Sequence, residues 1–280
     1  MSDIKETDLF RKAIKHWWAS KNGATTKKSQ GGTRDVNLHG KTMDGFAESI
    51  RDFLIGLNVK PEHIFSGGHL TKTPSILPSF FRPSKNWDLI VVGGSRFHPA
   101  KGDKPDPVLY VALEFKSQDK SIGNNQNNRL EESLGNAIDF WKTYENAGFE
   151  RQLPRPWLGY LFVGKYSPET DAKPVRIEQP HFLAMPPFRA RTEGSDDQRK
   201  FAGPSYLERY KIFMKQSIGV RLYDAGAFIV TDESIATKTI NHRIPVAEFG
   251  SANFLRSLKG QILAHYPGAK VKPGSLAERI

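Results

Sequence analysis

Two carboxylates and a lysine stand in two stretches that alternate as β-strands do. The first is Asn86-Trp87-Asp88-Leu89-Ile90-Val91-Val92; the second, after a loop, is Leu109-Tyr110-Val111-Ala112-Leu113-Glu114-Phe115-Lys116. By the period of two, Leu109, Val111, Leu113 and Phe115 share one face of the second stretch, and Tyr110, Ala112, Glu114 and Lys116 share the other. One face reads as core, while the other sets a carboxylate beside an ammonium. Folded back as an antiparallel hairpin centred near Lys101, the pair keeps a constant sum of residue numbers, so Asp88 falls opposite Leu113 or Glu114. Asp88 and Glu114 can then converge on one ion. Their hard oxygens suit Mg²⁺, which keeps most of its waters and is commonly shared with a phosphate. Lys116 projects the same way as Glu114 and can stabilise charge at a phosphate or orient an attacking water. The same residues also fit a plainer reading, two strand-end carboxylates and a surface lysine.

The elements that must position these residues follow from periodicity. Leu9, Phe10, Ala13, Ile14, Trp17 and Trp18 recur at helical spacing from about Thr7 to Ser20, with the two tryptophans read as packing residues. Lys21 to Gly40 reads as a mobile basic loop carrying Lys27, Lys28 and Arg34. A second helix spans about Met43 to Leu57, with Phe46, Ile50, Phe53, Leu54 and Leu57 inward and Glu48 off that stripe. Asn58 to Asn86 reads as irregular, punctuated by four prolines and Gly67-Gly68. Gly93 to Pro107 reads as a long hairpin loop that could lie over a partner.

Directly after the second strand comes Ser117-Gln118-Asp119-Lys120-Ser121-Ile122-Gly123-Asn124-Asn125-Gln126-Asn127-Asn128-Arg129. Amides of Asn and Gln suit adenine edges and Arg suits guanine, while Asn-rich loops can equally satisfy their own backbone through Asx-turns. A helix is expected from about Arg129 to Ala147, with Leu130, Leu134, Ala137, Ile138, Trp141 and Tyr144 as its apolar face and Glu131, Glu132 and Asp139 off it. Trp157 to Val163 reads as a buried strand. Further on, Pro168 to Lys200 is loop-like with a basic pair at Arg189 and Arg191. A helix is expected near Tyr206 to Met214, a strand at Ala227 to Val230, and a helix from Val246 to Leu263.

The 280 residues suffice for a proper core, and no repeat or linker divides them, so a single domain over 1–280 is expected. Lys and Arg outnumber Asp and Glu by 41 to 30, a net charge of +11 whose field suits a polyanion. The absence of Cys excludes disulfides, Cys-based zinc sites and thiol nucleophiles, and fits a reducing compartment such as the cytoplasm. No apolar run approaches the ~20 residues of a membrane span, and the N-terminal residues do not resemble a secretory signal.

The Asp…Glu-x-Lys arrangement, with strand, strand, helix, strand in order, resembles the PD-(D/E)XK nucleases. Leu113-Glu114-Phe115-Lys116-Ser117-Gln118 followed by Gly123-Asn124-Asn125-Gln126-Asn127-Asn128-Arg129 is more specific and resembles the XhoI family of type II restriction endonucleases. Trp87-Asp88-Leu89-Ile90-Val91-Val92, Glu131-Glu132, Ala137-Ile138-Asp139 and Gly40-Lys41-Thr42-Met43-Asp44-Gly45-Phe46 share that likeness.

The resemblance implies an α/β fold in which helices flank a central mixed sheet, with N-terminal helices and a C-terminal extension. It implies a homodimeric, Mg²⁺-dependent enzyme that cuts a short palindrome in double-stranded DNA and leaves 5′ overhangs; the family's eponymous member reads CTCGAG. A companion DNA methyltransferase would protect the host, a bacterium or archaeon, without forming a stable complex. Carried over by position, Asp88 and Glu114 become metal ligands and Lys116 the catalytic base or the group that orients the water. Gln118, Asn124, Asn125, Asn127, Asn128 and Arg129 become DNA contacts. Glu48 is an additional metal-ligand candidate because related nucleases use a helical carboxylate, although a solvated surface role fits it too. Two alternatives remain open at this point: a structure-specific or repair nuclease of the same fold, and a non-catalytic DNA-binding protein on the same scaffold.

Overall fold

In a computed structural model, the described residues are 9–26, 41–67, 71–94, 107–119, 122–149, 153–171, 176–178, 181–182, 184–188, 200–234 and 239–280. Helix α1 (Arg11–Thr26) packs on α2 (Asp44–Gly56). Short strands β1 (Ile64–Ser66), β2 (Ile76–Pro78) and β3 (Ser84–Asn86) lead to β4 (Leu89–Gly93) and the eleven-residue β5 (Val108–Gln118). Helix α3 (Ile122–Glu145) then crosses to β6 (Trp157–Lys165). Strands β7 (Arg176–Glu178) and β8 (Lys200–Ala202), helix α4 (Tyr206–Gly219), strands β9 (Ala225–Ser234) and β10 (Thr239–Arg243), and helix α5 (Ser251–His265) follow, with single helical turns at Pro168–Asp171 and Leu276–Arg279.

Six strands form one mixed sheet, β1-β4-β5-β6-β9-β10. Pairs β1/β4, β4/β5 and β9/β10 are antiparallel, and β5/β6 and β6/β9 are parallel. Parallel neighbours need a crossover, which α3 and α4 supply on one side of the sheet. The expected α/β architecture of helices around a mixed sheet is therefore present.

Each sheet face closes a separate core. Trp17, Phe46, Ile50, Phe53, Leu54, Val111, Leu113, Phe115, Leu161, Phe254 and Leu258 fill the side covered by α1, α2 and α5. Trp87, Ala112, Phe140, Leu158, Tyr160, Phe162, Tyr210, Phe213 and Phe228 fill the side covered by α3 and α4. Trp17 and Trp18 are both buried, and the Trp18 indole donates to Thr231 Oγ1 at 2.9 Å, so they pack as expected.

Register on β4 and β5 matches the hairpin reading near the site and departs from it farther out. Leu89 pairs with Leu113 and Val91 with Val111, but Val92 pairs with Leu109. Tyr110 is the extra residue of a β-bulge, and a bulge reverses the alternation beyond it. Leu109 consequently joins the α3/α4 core while Tyr110 joins the other, the opposite of strict alternation. The bulge needs Gly93: a Cβ there would stand 2.6 Å from the Tyr110 ring.

Several expected boundaries move. Lys21 lies in the last turns of α1, not in a loop, and is buried against Asp119 at 3.0 Å; a long amphipathic helix can end in a polar turn when its lysine finds a carboxylate. The segment around 58–86, expected to be irregular, contains β1 and the β2/β3 ribbon, because strands of three residues carry too little periodicity to read. Lys27, Lys28, Arg34, Lys101, Lys104, Arg189 and Arg191 lie outside the described residues. No helix among the described residues is long and apolar enough to cross a membrane.

Candidate active site

The site begins where β4 starts. The Asp88 amide donates to the Leu113 carbonyl at 3.2 Å, one step beyond the Leu89–Leu113 pair, which sets Asp88 opposite Glu114. Asp88 Oδ2 accepts from the Phe115 amide at 2.6 Å, and Oδ1 accepts no hydrogen bond among the described residues. Burial pushes the Asp88 carboxyl up to about 6, opposed by that amide, reinforced by the Glu114 charge and eased by Lys116 and Lys85.

Glu114 is completely buried on the α3/α4 side of the sheet, and a buried carboxylate is tolerable only when surrounded by donors. Four groups surround it. Lys116 Nζ lies 3.1 Å from Oε1, the Asn136 amide of α3 donates to the same oxygen, and Lys85 Nζ stands 3.9 Å from it. Tyr223, from the turn between α4 and β9, places its hydroxyl 2.7 Å from Oε2. The same hydroxyl is 2.8 Å from the Ser133 carbonyl, so its one proton serves either acceptor. Burial and the neighbouring Glu114 hold the Tyr223 phenol well above the ordinary range, and it stays a donor.

Lys116 bridges two carboxylates, Glu114 and Glu132 Oε2 at 3.3 Å, and Glu132 also meets Arg129 at 3.4 Å. Burial alone would lower the Lys116 pKa, but the charge and hydrogen bond of Glu114, with Glu132 and Asp88, carry it above the ordinary value. Lys116 is therefore held in its charged form. Lys85 differs: burial lowers its pKa, Glu114 offsets part of that, and Lys116 adds to it.

The donor set fits a hard divalent cation. Asp88 and Glu114 are opposed across one strand pair, Asp88 Oδ1 is free of hydrogen bonds among the described residues, and Glu114 Oε2 has a lone pair beyond the one facing Tyr223. Glu48 is exposed on α2, and among the described residues no third His, Asp or Glu completes a metal-binding group with this pair. The structure thus leaves Glu48 outside the cluster; its place off the apolar stripe of α2 turned it to solvent.

The Asn-rich stretch is not a loop. Asn124 to Arg129 form the first turns of α3, which starts at Ile122. Asn125, Asn127 and Asn128 are exposed there, and Asn127 Oδ1 accepts from Arg209 at 2.6 Å. Gln118 is buried on the last position of β5, where its Oε1 accepts from Tyr210 at 2.9 Å; it does not stand with the exposed asparagines. Gln126 is buried as well, donating to the Tyr206 carbonyl at 2.6 Å.

The buried face of α3 also departs from the expectation. Ser133, Asn136, Ala137, Asp139, Phe140 and Thr143 are buried, while Leu134 and Ile138 are exposed. Asp139 accepts from the Phe80 and Phe81 amides at 2.8 and 3.0 Å and from Arg82 Nε at 2.9 Å. Leu130, Ala137, Trp141 and Tyr144, expected on the inward face, do pack on the α3/α4 core, but a helix that lines a charged site turns polar residues inward as well. Sequence reasoning missed Lys85, Asn136 and Tyr223; Asn136 alone left a signal, by lying on the Ser133-Asn136-Phe140 helical row.

Comparison with known proteins bears on the whole arrangement. The family model described as restriction endonuclease XhoI matches residues 21–242. The type II restriction enzyme BstVI of Geobacillus stearothermophilus is 32% identical over 228 residues, covering 81% of this chain and 89% of the relative. AbrI of Azospirillum brasilense is 33% identical over 185 residues, covering 64% of this chain and 75% of the relative. XhoI of Xanthomonas vasicola is 31% identical over 221 residues, covering 77% of each. No solved structure matches. With this much of its length shared, and with an acidic pair and a lysine gathered on β4 and β5, the chain belongs to the XhoI family of type II restriction endonucleases, site-specific deoxyribonucleases.

Proposed function

We propose that the protein is a single-domain, homodimeric, Mg²⁺-dependent endonuclease that cuts a short palindromic site in double-stranded DNA. CTCGAG is the candidate site, by the family resemblance, with 5′ overhangs. The observation that carries this reading is the opposition of Asp88 and Glu114 across β4 and β5 with Lys116 3.1 Å from Glu114. A pure binding protein has no use for a buried carboxylate held by this many donors beside a second, desolvated one.

In this reading Asp88 and Glu114 hold the cation, which supplies Lewis-acid charge at the phosphate and lowers the pKa of water when bound. Lys116, kept charged by its two carboxylates, donates to the phosphate as negative charge builds on it. The water oxygen bonds to phosphorus, its proton passes to solvent, and the bond from phosphorus to the 3′ oxygen breaks. That oxygen takes a proton, leaving 5′-phosphate and 3′-hydroxyl ends. Asn136 and Tyr223 keep Glu114 from turning away.

The exposed amides of Asn125, Asn127 and Asn128, with Asn124 and Arg129, are assigned to DNA contact. They lie on one helix end, and backbone attraction from the net charge of +11 brings the duplex to them. The enzyme acts in the cytoplasm of a bacterium or archaeon beside a companion DNA methyltransferase.

Incubating the purified protein with a plasmid of known sequence, in Mg²⁺ and in EDTA, and sequencing the fragment ends tests the whole reading. Discrete Mg²⁺-dependent fragments sharing one palindromic end are expected. An intact plasmid that is nonetheless bound in a gel shift would defeat it.

A further inference from the structure

Lys85 stands three residues before Asp88, in the short ribbon β2/β3, where no motif marks it. Its position is built, not incidental. On one side, the Trp87 amide donates to the Ser75 carbonyl at 2.9 Å, and the Ser75 hydroxyl contacts Asn86 Oδ1 and the Trp87 carbonyl. On the other, Arg82 is tied to α3 through Asp139 and, at 2.7 Å, through Asn136 Oδ1. Asn136 also holds Glu114, so the ribbon and the buried carboxylate share one clamp.

Between these anchors the Lys85 side chain is only 13% exposed. Its ammonium lies 4.6 Å from the Trp87 ring centroid and 3.9 Å from Glu114 Oε1, too far for a hydrogen bond. Among the described residues it makes no hydrogen bond at all. Lys116, by contrast, is held at 3.1 and 3.3 Å by Glu114 and Glu132. An ammonium carries three donors, and largely buried donors are ordinarily matched by acceptors. Lys85 is thus a cation aimed at the reactive carboxylates with its donors open. An anion that offers oxygens and reaches Asp88 and Glu114 from solvent would meet those donors.

We infer that Lys85 is a second catalytic lysine, which donates to a non-bridging oxygen of the scissile phosphate. The inference rests on the nuclease reading above. Formal charges agree with it: Lys85, Lys116 and Arg129 balance Asp88, Glu114 and Glu132, so a bound divalent cation leaves two positive charges in excess. A phosphodiester brings one negative charge and gains another as water attacks. Without Lys85 that second charge is left unmatched.

Lys85→Met tests this, because the methionine stem still packs on Trp87 while the charge is gone. In the full-length protein, with melting temperature checked, single-turnover cleavage in Mg²⁺ falls on the order of 100-fold, and Lys85→Arg recovers part of the loss. A second measurement needs no cleavage. Binding of the cognate duplex in EDTA is compared with binding of a duplex whose scissile phosphate is a neutral methylphosphonate. The wild type loses affinity on that replacement, and Lys85→Met is indifferent to it, a non-additive cycle that a merely structural lysine does not produce. Additive losses, or wild-type cleavage by Lys85→Met, overturn the role of Lys85 and leave the nuclease reading standing. A wild-type protein that cuts no DNA defeats both.

Discussion

Tyr223 places its hydroxyl 2.7 Å from Glu114 Oε2, joining residues 109 positions apart in the chain. The contact is fully buried on both sides, so it decides where one oxygen of the central carboxylate points. Tyr223→Phe removes the donor and leaves Oε2 without that hydrogen bond. A loss of about 1–3 kcal/mol in stability is expected, together with slower cleavage and unchanged affinity for the duplex. Chemical denaturation, single-turnover kinetics and gel shift read the three effects separately.

Lys116 should be the most costly lysine to lose. Lys116→Ala removes a cation that two carboxylates keep charged, and cleavage falls by on the order of 10²–10³. DNA binding stays nearly intact. A fully active Lys116→Ala protein would refute its assignment.

Asp88 predicts a pH dependence of stability with a definite sign. Its carboxyl is pushed up to about 6 from 3.8, so between those values the native state binds a proton that the unfolded chain has lost. Stability therefore falls as pH rises through that window, and the ionised carboxylate costs up to about 3 kcal/mol above it. Asp88→Asn abolishes cleavage yet, in EDTA at neutral pH, unfolds at a higher denaturant concentration than the wild type. The advantage shrinks as pH falls from 6 towards 3.8. An Asp88→Asn protein less stable than wild type at neutral pH would contradict the burial penalty.

The start of α3 separates two kinds of amide. Asn125→Ala and Asn128→Ala, both at exposed positions, should leave stability within about 0.5 kcal/mol and relax discrimination between related sites by about 1–3 kcal/mol. Gln118→Ala should do the reverse, destabilising through its lost partner Tyr210 while keeping site preference. Cleavage of a panel of single-base variants, set beside thermal melts, reads both.

How much of this was legible in the chain depends on what each residue's neighbours are. Asp88, Glu114 and Lys116 sit on strands joined through one hairpin, where period and constant sum place them without knowledge of the rest. The sum holds from Leu89–Leu113 to Val91–Val111 and fails only past Tyr110, since nothing in an apolar run announces a bulge. Lys85, Asn136 and Tyr223 reach Glu114 from a ribbon, a helix and a distant turn, and such long-range convergence has no local periodicity. Leu134 and Ile138, expected inward on α3, face out for a related reason. Hydrophobicity finds the buried side of a helix when the core is oily, and here part of the core is a ring of donors around a carboxylate.

Because Glu114 is enclosed by side chains from β3, β5, α3 and the turn before β9, the centre cannot be completed until the ribosome has delivered Tyr223. A domain folds as a unit, so the pocket that holds Glu114 closes only when the segments from Lys85 to Tyr223 pack together.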